Sequence, residues 1–283
     1  MLQLPSPLVD VNWLHDNLHA TQLIILDASV PPVVPGYESL NSEECFLAIS
    51  GARRFDYDKK ICKQDSSLPH MMPGADLFTE EVRKLGINSD SVIVIYDDVG
   101  LYSSPRAWWM LRAMGHEQVA VLDGGLRAWV AAGFATIDSL QLNPGAGNFE
   151  ANYAEDSFCD FNVVLSAIDD SSCAILDARS SGRFHGTAPE PRAGIRGGHM
   201  PNAQNLPFPK LLNEGSMKPV AELIEIFNEI ITHDQRLITS CGSGLTACIL
   251  TFAAYLAGHR NLSVYDGSWI EWGAPSKLPV VTD

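Results

Sequence analysis

Residues 237–247 read LITSCGSGLTA and predict a strand, a cysteine-containing loop and the start of a helix in the second half of the chain. The apolar run at 237–240 predicts a buried strand, and residues 246–256 predict a helix. Cys241 therefore lies where a strand ends and a helix is about to begin. Unpaired backbone N–H groups and the helix dipole favour a thiolate in that position. We predict that Cys241 is a nucleophile.

The loop after the cysteine is small and carries no charge. Its two glycines allow the backbone to curl closely around the sulfur. We predict that the substrate is contacted by the loop residues Gly242, Gly244, Leu245 and Thr246. A phosphatase loop of the form C-x5-R needs an arginine at position 247 to hold phosphate, and this chain has Ala247 there. Phosphatase activity is therefore disfavoured.

The composition excludes several classes of partner. The 283-residue chain has a formal net charge of −15, which argues against nucleic acid and anionic membrane surfaces as partners. None of its six cysteines forms a C-x-x-C pair, and no Cys/His spacing is that of a zinc site. We expect no metal and no organic cofactor. Because no secretory leader and no long apolar run is visible, we expect a cytoplasmic protein.

The chain repeats itself. LIILDA at 23–28 returns as CAILDA at 173–178, and residues 115–129 return in similar form at 258–272. Strands and helices alternate in each half, which predicts α/β domains with mostly parallel sheets flanked by helices. The offset of 143 residues in the second match places Asp98 opposite Cys241. We therefore expect the first half to lack a nucleophile.

Residues 143–148, NPGAGN, have the composition of a loop and mark the boundary between the halves. We predict an N-terminal domain at 7–135, a linker at 136–160 and a C-terminal catalytic domain at 161–280.

The loop CGSGLTA at 241–247 and the segment YDGSW at 265–269 resemble those of the two-domain rhodanese-like sulfurtransferases, over roughly residues 9–279. Within that family the chain is most similar to the 3-mercaptopyruvate sulfurtransferases, whose loop typically reads C-G-S-G-V-T. Leu245 replaces the valine. Thiosulfate sulfurtransferases typically carry basic residues in this loop, so its lack of charge favours mercaptopyruvate. The resemblance implies two tandem rhodanese-like domains.

The resemblance also implies roles for individual residues. Two arginines of the motif GRFHGTAPEPR at 182–192, Arg183 and Arg192, would hold the carboxylate and ketone of the substrate. A planar guanidinium suits that task because it grips a carboxylate through two hydrogen bonds. Ser243 in the loop, with His70 and Asp58 from the first half, would form a proton relay.

The implied reaction moves sulfur from 3-mercaptopyruvate onto Cys241 as a persulfide and releases pyruvate. Thioredoxin, a small thiol or cyanide would then accept the sulfur. Two alternatives stay open from the sequence. One is a thiosulfate sulfurtransferase, and the other is a non-catalytic sulfur-carrier module.

Overall fold

The computed structural model describes residues 2–282 and divides the chain into two compact units. The first unit contains the chain up to Gln64, Met72–Ala154 and Glu214–Met217. The second unit contains Asp65–Met71, Glu155–Asn213 and the chain from Lys218 onward. The segment predicted to be a linker, 136–160, is thus divided between the units after Ala154. The limits given above for the two domains stay a prediction.

The first unit is built from alternating strands and helices. In chain order these are β1 (Leu8–Val9), α1 (Val11–Asn17), β2 (Leu23–Asp27), β3 (Arg53–Arg54), α2 (Ala75–Lys84), β4 (Val92–Tyr96), α3 (Ser104–Ala113), β5 (Val119–Leu122) and α4 (Gly125–Ala131). The strands form one parallel sheet in the order β1-β5-β4-β2-β3.

The second unit repeats this order. Its first elements are β6 (Phe158–Cys159), α5 (Phe161–Ala167), β7 (Cys173–Asp177), α6 (Ser181–Phe184) and β8 (Gln204–Asn205). Strand β9 (Leu212–Asn213) follows, and β10 (Ser216–Met217) comes next in the chain, within the segment Glu214–Met217 of the first unit. The last elements are α7 (Val220–Asn228), β11 (Arg236–Ser240), α8 (Ala247–Leu256), β12 (Leu262–Tyr265) and α9 (Ser268–Trp272). The parallel sheet has the order β6-β12-β11-β7-β8, the same pattern as in the first unit.

Each sheet forms the centre of its own hydrophobic core. Every residue of β4 is buried, as expected for a central strand of a parallel sheet with helices on both faces. Helix α8 is also buried over most of its length, from Ala247 to Ala254. The predicted class, α/β with parallel sheets flanked by helices in two similar regions, is confirmed. None of the helices within residues 2–282 has the length and apolar character that crossing a membrane requires.

Candidate active site

Cys241 follows β11 directly, at the carboxyl end of the second sheet. The adjacent strand β7 reaches the same edge, because Ser240 pairs with Asp177. Thr246 directly precedes helix α8, so only residues 241–246 connect strand and helix. The cysteine is 1% exposed. The predicted strand–cysteine–helix arrangement is confirmed, at the sheet edge where open α/β folds bind ligands.

Helix α9 fixes the backbone of the cysteine. The Trp269 N–H donates to the Cys241 carbonyl at 3.0 Å, and the Ile270 N–H donates to the Gly242 carbonyl at 2.9 Å. The Cys241 N–H donates to the Ser268 hydroxyl at 3.2 Å. The peptide groups on both sides of the cysteine are therefore held in place before any substrate arrives.

The remainder of the loop has unused donors. Within residues 2–282, the N–H groups of Gly242, Ser243, Leu245 and Thr246 and the Ser243 hydroxyl make no hydrogen bond. Buried backbone donors in proteins are nearly always paired. Gly244 has φ +77°, which explains why glycine is needed in the middle of the loop. These donors are available to a ligand that carries negative charge.

The corresponding loop of the first unit contains Asp97, not Asp98, opposite the cysteine. Asp97 is the first residue after β4, as Cys241 is after β11. The Leu126 N–H donates to the Asp97 carbonyl at 2.9 Å, which matches the bond from Trp269 to Cys241. The expectation of Asp98 was wrong because the first loop, 97–103, is one residue longer than 241–246. A constant offset cannot hold across that insertion.

The Asp97 carboxylate shows what such a loop binds. It is fully buried and accepts five backbone N–H bonds of 2.8–3.1 Å and one hydroxyl bond of 2.7 Å. The donors are the N–H groups of Val99, Gly100, Tyr102, Ser103 and Ser104 and the Ser104 hydroxyl. Successive N–H groups in a tight loop form an anion site. The first unit fills that site with its own side chain.

Arg183 lies beside the cysteine loop. Its Nη2 would be 3.1 Å from a Cβ placed on Gly242, so glycine at 242 leaves room for the guanidinium. Nε and Nη2 donate to the Glu190 carboxylate at 3.1 Å and 2.5 Å. The Nη1 group makes no hydrogen bond to residues 2–282, and the side chain is 16% exposed. The arginine is oriented and still has donors to offer.

Sequence reasoning missed the residues that orient Arg183. Glu190 also binds Arg179 at 2.7 Å, and Arg179 binds Asp177 at 2.8 Å and lies 4.1 Å above the Trp269 ring. Burial would lower the pKa of Arg179, but the carboxylates of Asp177 and Glu190 raise it overall. Glu190 lies in the same 182–192 motif as Arg183. The sequence signal for this role was an acidic residue, Glu190, in the same motif as Arg183 and seven positions after it.

The remaining predicted site residues are Arg192, His70 and Asp58. Arg192 is half-buried and forms no ion pair within the described chain. His70 is half-buried with φ +61°, in the segment Asp65–Met71 that belongs to the second unit. Asp58 is half-buried in the first unit, where its carbonyl accepts a bond from Cys62 Sγ at 3.4 Å. The relay of Ser243, His70 and Asp58 stays a prediction.

The described residues hold no cluster of three or more His, Cys, Asp or Glu side chains able to bind a metal ion.

Comparison with known proteins agrees with this architecture. A model of the Rhodanese-like domain matches residues 10–132 and 161–275. The 3-mercaptopyruvate sulfurtransferase of Escherichia coli K12 is 38% identical over 280 residues, covering 96% of both chains. The mitochondrial thiosulfate/3-mercaptopyruvate sulfurtransferase 1 of Arabidopsis thaliana is 37% identical, covering 97% of this chain and 78% of its own.

A solved structure is similar over nearly the same length. The crystal structure of SseA from Escherichia coli, described with the rhodanese fold of 3-mercaptopyruvate sulfotransferases, superposes with a TM-score of 0.79 at 33% identity. The match covers 93% of this chain and 99% of that one. With both halves matched and relatives similar along its length, the chain belongs to the family of proteins built from rhodanese-like domains.

Proposed function

We propose that this protein is a sulfurtransferase that takes sulfur from 3-mercaptopyruvate, holds it as a persulfide on Cys241 and passes it to a thiol or to cyanide. The relatives named for this activity support the substrate, since the bacterial one is 38% identical over 96% of the chain. The uncharged loop 242–246 also supports a monoanionic donor over the thiosulfate dianion.

One observation carries the proposal, namely the match between the Asp97 and Cys241 loops. The carboxylate oxygens of Asp97 lie two bonds beyond Cβ and accept five N–H groups. The terminal sulfur of a cysteine persulfide also lies two bonds beyond Cβ and is negatively charged. We infer that the unused N–H groups of the 242–246 loop bind this sulfur, as an oxyanion hole binds developing charge.

In the first half-reaction the Cys241 thiolate attacks the sulfur of the donor. An S–S bond forms, the C–S bond breaks, and its electron pair passes to the carbon as the enolate of pyruvate. The proton of the donor thiol moves to that carbon, which gives pyruvate. The cysteine keeps the sulfur as a persulfide anion, so atoms and charge balance without a cofactor.

Arg183 would bind the donor carboxylate through Nη1, because Glu190 occupies its other face. Arg192 would contact the ketone oxygen, where enolate charge develops. The Ser243 hydroxyl, which is buried and unbonded within the described chain, would lead the proton to the enolate carbon. His70 and Asp58 would continue this relay.

In the second half-reaction a nucleophile attacks the terminal sulfur, and the Cys241 thiolate leaves. Cyanide gives thiocyanate, and a thiolate gives a new persulfide. We propose thioredoxin or a small thiol as the acceptor in the cell. All six cysteines are free in the structure, which suits a reducing compartment such as the cytoplasm.

The test compares two donors and follows the enzyme's mass. We expect a higher kcat/KM for 3-mercaptopyruvate than for thiosulfate, with cyanide as acceptor. Without an acceptor, the peptide containing Cys241 should gain the mass of one sulfur atom. The matched control is Cys45→Ser, which removes an exposed cysteine and should leave both results unchanged. Faster turnover of thiosulfate, or a sulfur adduct on another cysteine, would contradict the proposal.

A further inference from the structure

Ser268 has a backbone conformation that serine rarely adopts. Its φ is +48°, in the left-handed region that favours glycine. The equivalent residue of the first unit is Gly125, with φ +56°. Both residues begin the helix that follows the last strand of their sheet. A strained residue that persists where glycine would be relaxed points to a function for its side chain.

The first unit cannot accept a side chain at this position. A Cβ on Gly125 would lie 2.3 Å from the Asp97 carbonyl oxygen and 2.5 Å from that of Gly100. Gly100 lies in the loop that is one residue longer in the first unit. The second unit accommodates Ser268 at the equivalent position, where it is fully buried. The serine therefore accompanies the unit that carries the thiol.

The Ser268 hydroxyl joins three parts of the cysteine's surroundings. It accepts the Cys241 N–H at 3.2 Å and donates to the Tyr265 carbonyl at 2.8 Å. The Ser240 hydroxyl donates to it at 3.5 Å. The next residue, Trp269, holds the Cys241 carbonyl. Ser268 and Trp269 thus hold the N–H and the carbonyl of the same residue, which fixes the direction of the bond from Cα to the sulfur-bearing carbon.

We propose that Ser268 is a positioning residue that aims the sulfur of Cys241 at the loop N–H groups. The inference rests on the proposed function of Cys241. Without the hydroxyl, the Cys241 N–H loses its acceptor and competes with the loop donors for the persulfide anion. The chemical steps should then slow, while binding of 3-mercaptopyruvate through Arg183 and Arg192 is unaffected.

The test uses Ser268→Gly, which copies Gly125 and relieves the backbone strain. We expect kcat for 3-mercaptopyruvate to fall about 10-fold to 100-fold, as for a displaced reacting group, with KM within about twofold. The melting temperature should stay well above the assay temperature, because relief of the positive φ offsets part of the cost of the lost hydrogen bonds, so unfolding would not explain the loss of kcat. The control, Ser166→Gly on the exposed face of α5, should lower stability and leave kcat unchanged.

Wild-type kcat in Ser268→Gly would overturn the inference while leaving the sulfurtransferase proposal intact. Alkylation of Cys241 by iodoacetamide tests the positioning role separately from sulfur transfer, because it needs no sulfur donor. We expect slower alkylation in Ser268→Gly than in the wild type. If the wild type failed to desulfurate mercaptopyruvate but this difference held, the proposed function would fail and the positioning role would stand. Equal alkylation rates would contradict that role.

Discussion

The two strand-to-helix loops of this protein have similar backbones but surround different side chains. In the first unit the loop surrounds a carboxylate of its own, on Asp97, with five N–H groups. In the second unit the same position holds the Cys241 thiol, and four loop N–H groups are unbonded within the described chain. The first loop thus contains a carboxylate of its own, whereas the second leaves its N–H groups available to a ligand.

In this duplicated fold, one loop has a structural role and the other leaves its donors open to a ligand. A carboxylate that satisfies every donor stabilises its loop and leaves nothing for a substrate. A thiol of shorter reach leaves the donors unpaired, which costs stability but makes a binding site. Strain and unsatisfied groups are commonly kept at functional sites for this reason.

Replacing Cys241 by the residue that occupies its position in the first unit should have the largest effect. Cys241→Asp gives the second loop the group that the first loop has. We expect turnover to fall more than about 1,000-fold because the nucleophile is lost. Stability should rise by about 1–3 kcal/mol, the range for hydrogen bonds to a charged group. Turnover assays and urea unfolding measure the two effects.

Cys241→Ser is the control for this exchange, because it should lose turnover equally without gaining stability. A Cys241→Asp protein less stable than the serine variant would show that the second loop does not bind anions.

Replacing the Asp97 carboxylate by a neutral amide should have the next largest effect. In Asp97→Asn one carboxylate oxygen is replaced by an amide NH₂ group. That group faces backbone N–H groups and cannot accept their hydrogen bonds. We expect a loss of about 2–4 kcal/mol in the free energy of unfolding, since buried donors lose their acceptor. Asp138→Asn, at an exposed position, serves as the control and should change stability little. Equal stabilities of the two variants would refute the role of Asp97.

A third difference between the units lies in the arginine network. Ser29 stands two residues after the end of β2, where the second unit has Arg179 two residues after Asp177.

Arg183→Ala should lower kcat/KM for 3-mercaptopyruvate about 10-fold to 100-fold, the range for a charged hydrogen bond. Glu190→Gln should have a smaller effect because the guanidinium stays but is less firmly oriented. Lys210→Ala, an exposed lysine of the same unit, should be neutral. Wild-type kinetics in Arg183→Ala would remove this arginine from the site.

The smallest effect should come from Asp98, the neighbour of Asp97. Burial raises its pKa, aided by the charges of Asp97 and Asp27, while hydrogen bonds from Ser39 and Asn41 oppose the rise. A raised pKa means that the carboxyl stabilises the fold only while protonated, and that this contribution is lost as the pH rises through the raised value. Asp98→Asn should therefore gain stability relative to the wild type as the pH rises from the ordinary aspartate pKa through the raised value.

Urea unfolding across that range checks the sign. A difference between Asp98→Asn and the wild type that shrinks as the pH rises would contradict the account of Asp98. Two adjacent carboxylates in one loop thus give opposite predictions for the same substitution.

Much of the fold could be predicted because it depends on local patterns. The apolar run before Cys241 and the helix-forming run after it gave the strand and helix to within a residue or so. The repeat of LIILDA and CAILDA gave the duplication. Strands and helices that recur with buried faces leave a clear signal in sequence.

The details of the site were harder to predict for physical reasons. One inserted residue in the loop 97–103 moved the cysteine's counterpart from Asp98 to Asp97, and loops carry no periodicity that would show it. The chain of Asp177, Arg179 and Glu190 depends on side chains brought together by the sheet edge. The positive φ of Ser268 recurs at Gly125 and belongs to the turn that joins the last strand to its helix, which no pattern of residue types records.

A crystal structure of the protein after reaction with 3-mercaptopyruvate, without an acceptor, would show which groups bind the transferred sulfur. We predict a second sulfur on Cys241 that accepts hydrogen bonds from the N–H groups of the 242–246 loop, as Asp97 does in the first unit. A persulfide whose terminal sulfur points away from those groups, or an unmodified Cys241 after pyruvate has been released, would contradict the account.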